Sequence, residues 1–244
     1  MLNPTRIRAI TLDLDDTLWP IWPTIERAEG LLQDWLRPHA PAAAALLAHT
    51  PTRQRLRAQA LERCGHVAHD LGAIRLELIR LALAEARAPE DLAEPAYGVF
   101  LEARHHVTWF ADVAQGLATL AQHFPLVALT NGNADLHKTG VGPYFVAGLT
   151  AKEAGMAKPD PRIFEMAASL AGVPADSVLH VGDDPALDVV GARAAGMQAV
   201  WVNRHGHTWS HAADTPVQVP DLHALCAALG LGLGPAQPNP STTA

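Results

Sequence analysis

Lysine is scarce in this sequence: three residues in 244, against fifteen arginines. Cysteine is scarcer, and Cys64 and Cys226 lie far apart in no motif, so they read as free thiols rather than as a disulfide framework. No apolar run approaches the ~20 residues needed to span a bilayer. The opening stretch "MLNPTRIRAITLDLDD" lacks the long apolar centre and small-residue cleavage site of a signal peptide. Basic stripes are absent too, and the formal charge of −7 argues against a general binder of nucleic acid or of acidic membranes. These absences lead to the expectation of a cytoplasmic protein with no nucleic-acid or membrane partner, working as a monomer or homodimer.

The sequence does have a large apolar fraction, 49%, at a length that can bury a sizeable core. "RIRAITL" (residues 6–12) reads as a short buried strand that ends in charge. Roughly ninety residues of helical pattern follow. Ala28, Leu31 and Trp35, then Val67, Leu71, Ile74, Leu78 and Leu81, recur at steps of three and four, while Pro38, Pro41, Pro51, Pro89 and Pro95 divide the stretch into several helices.

From Asp112 onward strands and helices alternate. Asp112 stands as an N-cap with Gln115 at the capping-box position. "FPLVALTNGN", "SVLHVGDD" and "QAVWVN" read as buried strands. Asp160–Pro161 and Asp184–Pro185 are cap-and-first-turn pairs for two helices that stop at Gly172 and Gly196. Such alternation predicts an α/β fold, a parallel sheet with helices on both faces. The boundaries expected are a core of residues 1–17 and 112–233, an inserted helical module at 18–111, and a disordered tail at 234–244.

Ligands of open parallel sheets sit outside the carboxyl ends of the strands. Three strands end here in Asp13-Leu14-Asp15, in Thr130-Asn131 and in Asp183-Asp184, and right-handed crossovers bring these tips to one edge. So many carboxylates stay ionised together only if cations balance them. A hard divalent ion, Mg²⁺ above all, suits oxygen ligands. Lys158, in "MAKPDP", supplies a compact second positive charge suited to a small anion. Carboxylate, hydroxyl, lysine and Mg²⁺ together are the parts of a phosphoryl-transfer site.

Four motifs in order carry a family resemblance. "DLDDT" fits D-x-D-x-T, "LTNGN" a Ser/Thr motif, Lys158 a third, and "GDDPALD" the form G-D-x₄-D. The chain thereby resembles the haloacid dehalogenase superfamily of phosphohydrolases, with a Rossmann-like core and a helical cap. The text flanking the motifs is most similar to bacterial phosphatases of FMN and of the phosphorylated ribitylamino-uracil of riboflavin synthesis. The resemblance implies Asp13 as nucleophile, Asp15 as general acid/base, and Thr130, Asn131 and Lys158 as phosphate ligands. It implies Mg²⁺ on Asp13, the backbone carbonyl of Asp15 and Asp183, with Asp188 and Asp184 supporting them from behind. The substrate implied is a small phosphorylated metabolite.

Elementary chemistry is compatible with those roles. A carboxylate attacking phosphorus splits one hard displacement into two easier ones. A second acid two residues on lies on the same side of an extended chain and can exchange protons with the leaving group and then with water. Asp184 is also read as a plain helix cap, and Asp188 as a carboxylate suited to a helix's first turn. Asp16 reads as local turn chemistry. His205, His207 and His211 in "HGHTWSH", with the pair His105–His106, lack metal-site spacing and read as exposed loop and cap residues. Arg53, Arg55 and Arg57 read as a solvated helix face. Trp19, Trp22 and Trp109 are candidates for contact with a flat leaving group.

Two rival activities share these parts. A 2-haloacid dehalogenase uses the same aspartate nucleophile without a metal and without the second aspartate of D-x-D, so Asp15 counts against it. A phospho-aspartate switch also uses Asp, Thr, Lys and Mg²⁺, but in a shorter chain with another motif order.

Overall fold

The computed structural model describes residues 2–234; from residue 235 on, the tail expected at 234–244 lies outside the described residues. The described chain forms two compact units: one comprises Ile21–Val107, and the other the residues on either side of it.

The flanking unit is built on one six-stranded sheet, every neighbouring pair parallel. Its strands are β1 (Ala9–Leu12), β2 (Leu126–Thr130), β3 (Ala147–Thr150), β4 (Val178–Gly182), β5 (Gln198–Val202) and β6 (Val217–Val219), in the order β3-β2-β1-β4-β5-β6. In the three central strands every residue is buried, so both sheet faces are covered, which is why these segments read as continuous rather than alternating apolar runs. On one face Ala9, Val127, Leu129, Val178 and Trp201 pack with Ile163, Phe164 and Ala167 of α8 (Pro161–Leu170).

Elsewhere in this unit α6 (Val113–Ala121) packs against α10 (Leu222–Ala228), with Leu117, Leu120, Leu222 and Leu225 buried. Gly116 makes that approach possible: a Cβ there would lie 2.5 Å from the Cβ of Leu222. The short helices α7 (Ala151–Ala154) and α9 (Gly191–Ala194) complete the unit. Asp160 caps α8 by accepting from Arg162 N–H, Pro161 opens it, and Gly172 follows it with φ +72°.

Four local expectations need correction. The strands β3 and β6 carried no strand signal in the sequence reading; they are the two edges of the sheet, four and three residues long and partly exposed. Asp112 makes no capping bond at the start of α6, because its carboxylate accepts instead from Arg204 and from the backbone of Leu222. The helix after Asp184 opens as a π-helical segment, Pro185–Val190, before α9. There Val189 N–H reaches the Asp184 carbonyl five residues back, a widening of the first turn often found at functional sites. The fourth correction concerns the helical unit.

That unit consists of α1 (Ile21–His39), α2 (Pro41–Ala48), α3 (Thr50–Arg63), α4 (Leu71–Glu85) and α5 (Ala93–His105). Its core includes Ala28, Leu32 and Leu36 of α1, Ile74, Leu78, Ile79 and Ala82 of α4, and Phe100 of α5. The buried stripe of α1 is therefore Ala28-Leu32-Leu36; Leu31 is exposed and Trp35 only partly buried, because a straight step of four keeps one face on the neighbouring helices. Pro38 does not end α1 but lies inside its last turn. Among the described residues no helix is long and apolar enough to cross a membrane.

Candidate active site

The parallel register lines up the carboxyl ends of β1, β2 and β4. Leu12 pairs with Ala128 and with Val181, so the residues that follow these strands emerge side by side. Asp13 is the first residue beyond β1, Thr130 the last of β2 and Asp183 the first beyond β4. Lys158 arrives from the loop before α8, and Asp188 from the π-helical turn.

Lys158 is the centre of the cluster. Its side chain is 2% exposed, and its Nζ donates to Asp13 Oδ1 and to Asp188 Oδ1, both at 2.6 Å. Burial alone would lower its pKa, but the Asp13 and Asp188 carboxylates outweigh it and hold the ammonium charged well above the usual lysine range. Asn131 explains how the backbone of Lys158 is held: its Oδ1 accepts from Lys158 N–H at 2.8 Å and its Nδ2 donates to Lys158 C=O at 3.0 Å. The Asn131 side chain thus serves the backbone of Lys158. The Thr130 hydroxyl accepts from Gly132 N–H at 2.9 Å, which leaves its own proton as a donor.

Asp188 is fully enclosed. Its Oδ1 takes Lys158 and, at 3.1 Å, His180 Nε2; its Oδ2 accepts from Asp184 N–H at 2.9 Å. Burial would raise its pKa, yet Lys158 and His180 hold it well below the usual carboxylate range. Gly182 makes room for it, since a Cβ there would lie 2.3 Å from the Asp188 carboxylate. Asp184 is half-buried, and its Oδ1 caps the π-helical turn by accepting from Ala186 and Leu187 N–H at 2.8 Å.

Asp13 and Asp183 have fewer donors. The Thr17 hydroxyl lies 3.1 Å from Asp183 Oδ1 and 3.5 Å from Asp13 Oδ2. Burial pushes Asp13 up, and the Asp188 and Asp183 carboxylates add to the rise that Lys158 opposes. Burial and the charge of Asp188 push Asp183 up to about 7. One ligand oxygen from each of Asp13, Asp183 and Asp188 lies within 4.8 Å of the others. Three carboxylates thus face a single ammonium, and the excess negative charge is what a hard cation relieves. Both oxygens of Asp188 already accept donors, so Asp13 and Asp183 are the pair best able to hold such an ion.

Asp15 and Asp16 form the turn after Asp13. Asp15 Oδ1 accepts from Trp19 Nε1 at 2.8 Å. Asp16 has φ +57°, a conformation aspartate tolerates better than most residues, and its N–H donates to Trp19 C=O. Trp19 is fully buried, and Trp109 is buried with its indole on Thr139 C=O. Neither is a surface for a leaving group, contrary to the expectation; Trp22, in the helical unit, is 70% exposed. His205, His207 and His211 are exposed in the loop after β5, and Arg53, Arg55 and Arg57 lie on α3.

Two residues were missed in the sequence reading. His180, in the middle of β4, is fully buried, with Nδ1 2.8 Å from Thr11 Oγ. Burial lowers its pKa against the opposing pull of Asp188. Arg204, just beyond β5, donates from Nε and Nη2 to Thr17 C=O at 3.1 and 2.7 Å and grips Asp112 with two bonds of 2.9 Å. Its guanidinium lies 4.0 Å from the centre of the Phe110 ring. Burial would raise the pKa of Asp112, but Arg204 overrides it and lowers it. Neither residue had a signal: Arg204 meets partners remote in sequence, and His180 meets Thr11 across the sheet and Asp188 only through the fold of the turn between them.

The sequence and the fold are similar to those of known proteins. The family model described as haloacid dehalogenase-like hydrolase matches residues 7–196. The chain is 35% identical over 201 residues to the 5-amino-6-(5-phospho-D-ribitylamino)uracil phosphatase YigB of Escherichia coli (strain K12), covering 81% of this chain and 84% of that one. It is 36% identical over 166 residues to a phosphoserine phosphatase of Thermus thermophilus, covering 66% and 67%. A solved 2-haloacid dehalogenase from Pseudomonas syringae pv. Tomato DC3000 superposes with a TM-score of 0.85 at 37% identity, covering 92% of this chain and 98% of that one. With its motif residues gathered at one edge of a parallel sheet, the chain belongs to the haloacid dehalogenase-like hydrolase family.

Proposed function

We propose that the protein is a Mg²⁺-dependent phosphomonoester hydrolase that works in the cytoplasm, as a monomer or homodimer, through an aspartyl-phosphate. The observation that carries this reading is the buried Lys158 ammonium shared between Asp13 and Asp188, beside a third carboxylate, Asp183, that has no cation of its own bonded to it among the described residues. A site so arranged holds a nucleophile, an anion-binding cation and room for a metal's charge.

Asp13 attacks phosphorus, and the bond to the ester oxygen breaks as the new one forms. Asp15 gives its proton to the departing alkoxide and then takes one from the water that cleaves the aspartyl-phosphate, releasing inorganic phosphate. The indole of Trp19 fixes the orientation of Asp15 for both transfers. Lys158 and the Thr130 hydroxyl bind phosphoryl oxygens, and Asn131 keeps Lys158 in place. Mg²⁺, held by Asp13, the backbone carbonyl of Asp15 and Asp183, would neutralise charge on the phosphoryl group. Asp188 and Asp184 hold Lys158 and the turn that carries Asp188.

The similarity to a ribitylamino-uracil phosphatase favours a riboflavin-pathway phosphate or FMN as the small-metabolite substrate. A second reading, 2-haloacid dehalogenase, is favoured by the name of the structure that superposes at 37% identity. Asp15 counts against it, since displacement of halide needs no proton donor. Turnover of a panel of phosphometabolites with Mg²⁺ and with EDTA, beside chloride release from 2-chloropropionate, separates the two. Phosphate release that stops in EDTA is the expected result; chloride release that persists in EDTA would overturn it.

A further inference from the structure

β4 reads Val178-Leu179-His180-Val181-Gly182, and its one ionisable side chain lies where an aliphatic one would pack. Enclosing an imidazole in a sheet interior is costly unless both ring nitrogens find partners. Both do. His180 is the register partner of Thr11 on β1, and Thr11 Oγ lies 2.8 Å from Nδ1. Nε2 lies 3.1 Å from Asp188 Oδ1, and the Phe164 ring meets the imidazole edge-on at 5.0 Å. The chain of contacts continues through Lys158 Nζ to Asp13 Oδ1, at 2.6 Å for each step.

The roles along this chain follow from what each group can do. An Asp188 carboxylate paired with an ammonium accepts only, so Nε2 carries the proton and donates it. Nδ1 is then an acceptor, and the Thr11 hydroxyl donates to it. Asp188 is thereby held at both ends, Oδ2 by Asp184 N–H and Oδ1 by His180. A carboxylate held at one end can swing; held at both, it offers Lys158 a single place.

We propose that His180 is a positioning residue for Lys158, acting through Asp188, with Thr11 donating to Nδ1 and so supporting the ring tautomer that Asp188 requires. The inference rests on the phosphatase reading only in using Lys158 as the group that meets the phosphoryl oxygens. Its loss displaces the ammonium by a fraction of an ångström, enough to cost roughly 10–100-fold in turnover. The same displacement weakens the hold on any phosphate-like anion at Asp13.

The test compares His180→Leu, His180→Gln and Thr11→Val in the full chain, with p-nitrophenyl phosphate as substrate and orthovanadate as inhibitor. His180→Leu is expected to lower kcat about 10–100-fold and to raise the inhibition constant of orthovanadate. His180→Gln, which keeps an amide donor near Nε2, is expected to recover most of both. Thr11→Val should fall between and should carry the test by itself if His180→Leu does not fold. The ¹⁵N spectrum of the histidine rings should give the Nε2–H form at His180 both in the wild type and in Thr11→Val, with the Nδ1 signal shifted in the variant by loss of the Thr11 hydrogen bond. Variants that lose melting temperature but keep wild-type kcat and orthovanadate inhibition would overturn the inference, as would a wild-type spectrum of the Nδ1–H form. If the wild type itself fails to release phosphate, the phosphatase reading falls, and the ring spectrum still decides whether His180 donates to Asp188.

Discussion

In the sheet unit Lys158, Asp13, Asp188 and His180 are all buried; in the helical unit the ion pairs Arg55–Glu85 and Arg80–Glu94 keep both side chains exposed. The second pattern is ordinary solvation, worth little to stability because water and salt screen each pair. The first is costly, since desolvating charge is repaid only by well-made partners. A fold that needed stability alone would fill those strand ends with aliphatic side chains. The comparison teaches that the charge gathered at the strand ends of the sheet unit carries a desolvation cost that those surface pairs of the helical unit do not.

The sharpest way to break that comparison is at the two motif aspartates. Asp13→Asn should leave no measurable turnover and no acid-stable trace of ³²P on the protein, whereas Asp15→Asn should slow turnover roughly 10²–10⁴-fold, the usual worth of acid–base catalysis. Equal mild losses would mean that neither carboxylate has the role given to it.

A middle-sized effect is expected from Asp183 in the metal-free protein. Its pKa is pushed up to about 7 from an ordinary value near 3.8, so the folded chain holds a proton that the unfolded chain has released. That contribution to stability is complete below about pH 4 and is lost as pH rises through about 7. Melting curves in EDTA should therefore fall by several degrees across this window, and Asp183→Asn should flatten the fall. Added Mg²⁺ should raise the melting temperature more at pH 8 than at pH 5, because it competes with that proton.

The smallest effect belongs to the helical unit. Arg55→Gln removes the 2.7 Å pair with Glu85 and should cost less than about 1 kcal/mol in urea unfolding. A loss of several kcal/mol would show that this surface pair is not merely solvated.

The central strands were legible because each is a short, mostly apolar run ending in polar residues, and most of the motif residues because they follow directly on those strand ends. β3 and β6 were not, since an edge strand of three or four half-exposed residues leaves no periodic trace. The stripe of α1 was misread by one step, Leu31 for Leu32, because both spacings are helical and only the neighbours decide. Asp112 was read as a cap from its local sequence, while its partner stands 92 residues away. His180 and Arg204 escaped notice for the same reason: an interior histidine or a loop arginine acquires meaning only from what the fold brings to it.

The bonds from Arg204 to the Thr17 carbonyl join residues 187 apart in the sequence, and the bond from Lys158 to Asp13 spans 145. A chain made from its N-terminus therefore presents Asp13 early and its partners late. The strand that carries Asp13 waits through the whole helical stretch before its first neighbour, β2, is made, and longer for β4. No shortened product of synthesis has Lys158 without the helical stretch, and none has Arg204 without everything before it. The buried pairing of Asp13, Lys158 and Asp188 is thus closed only after most of the chain has been made.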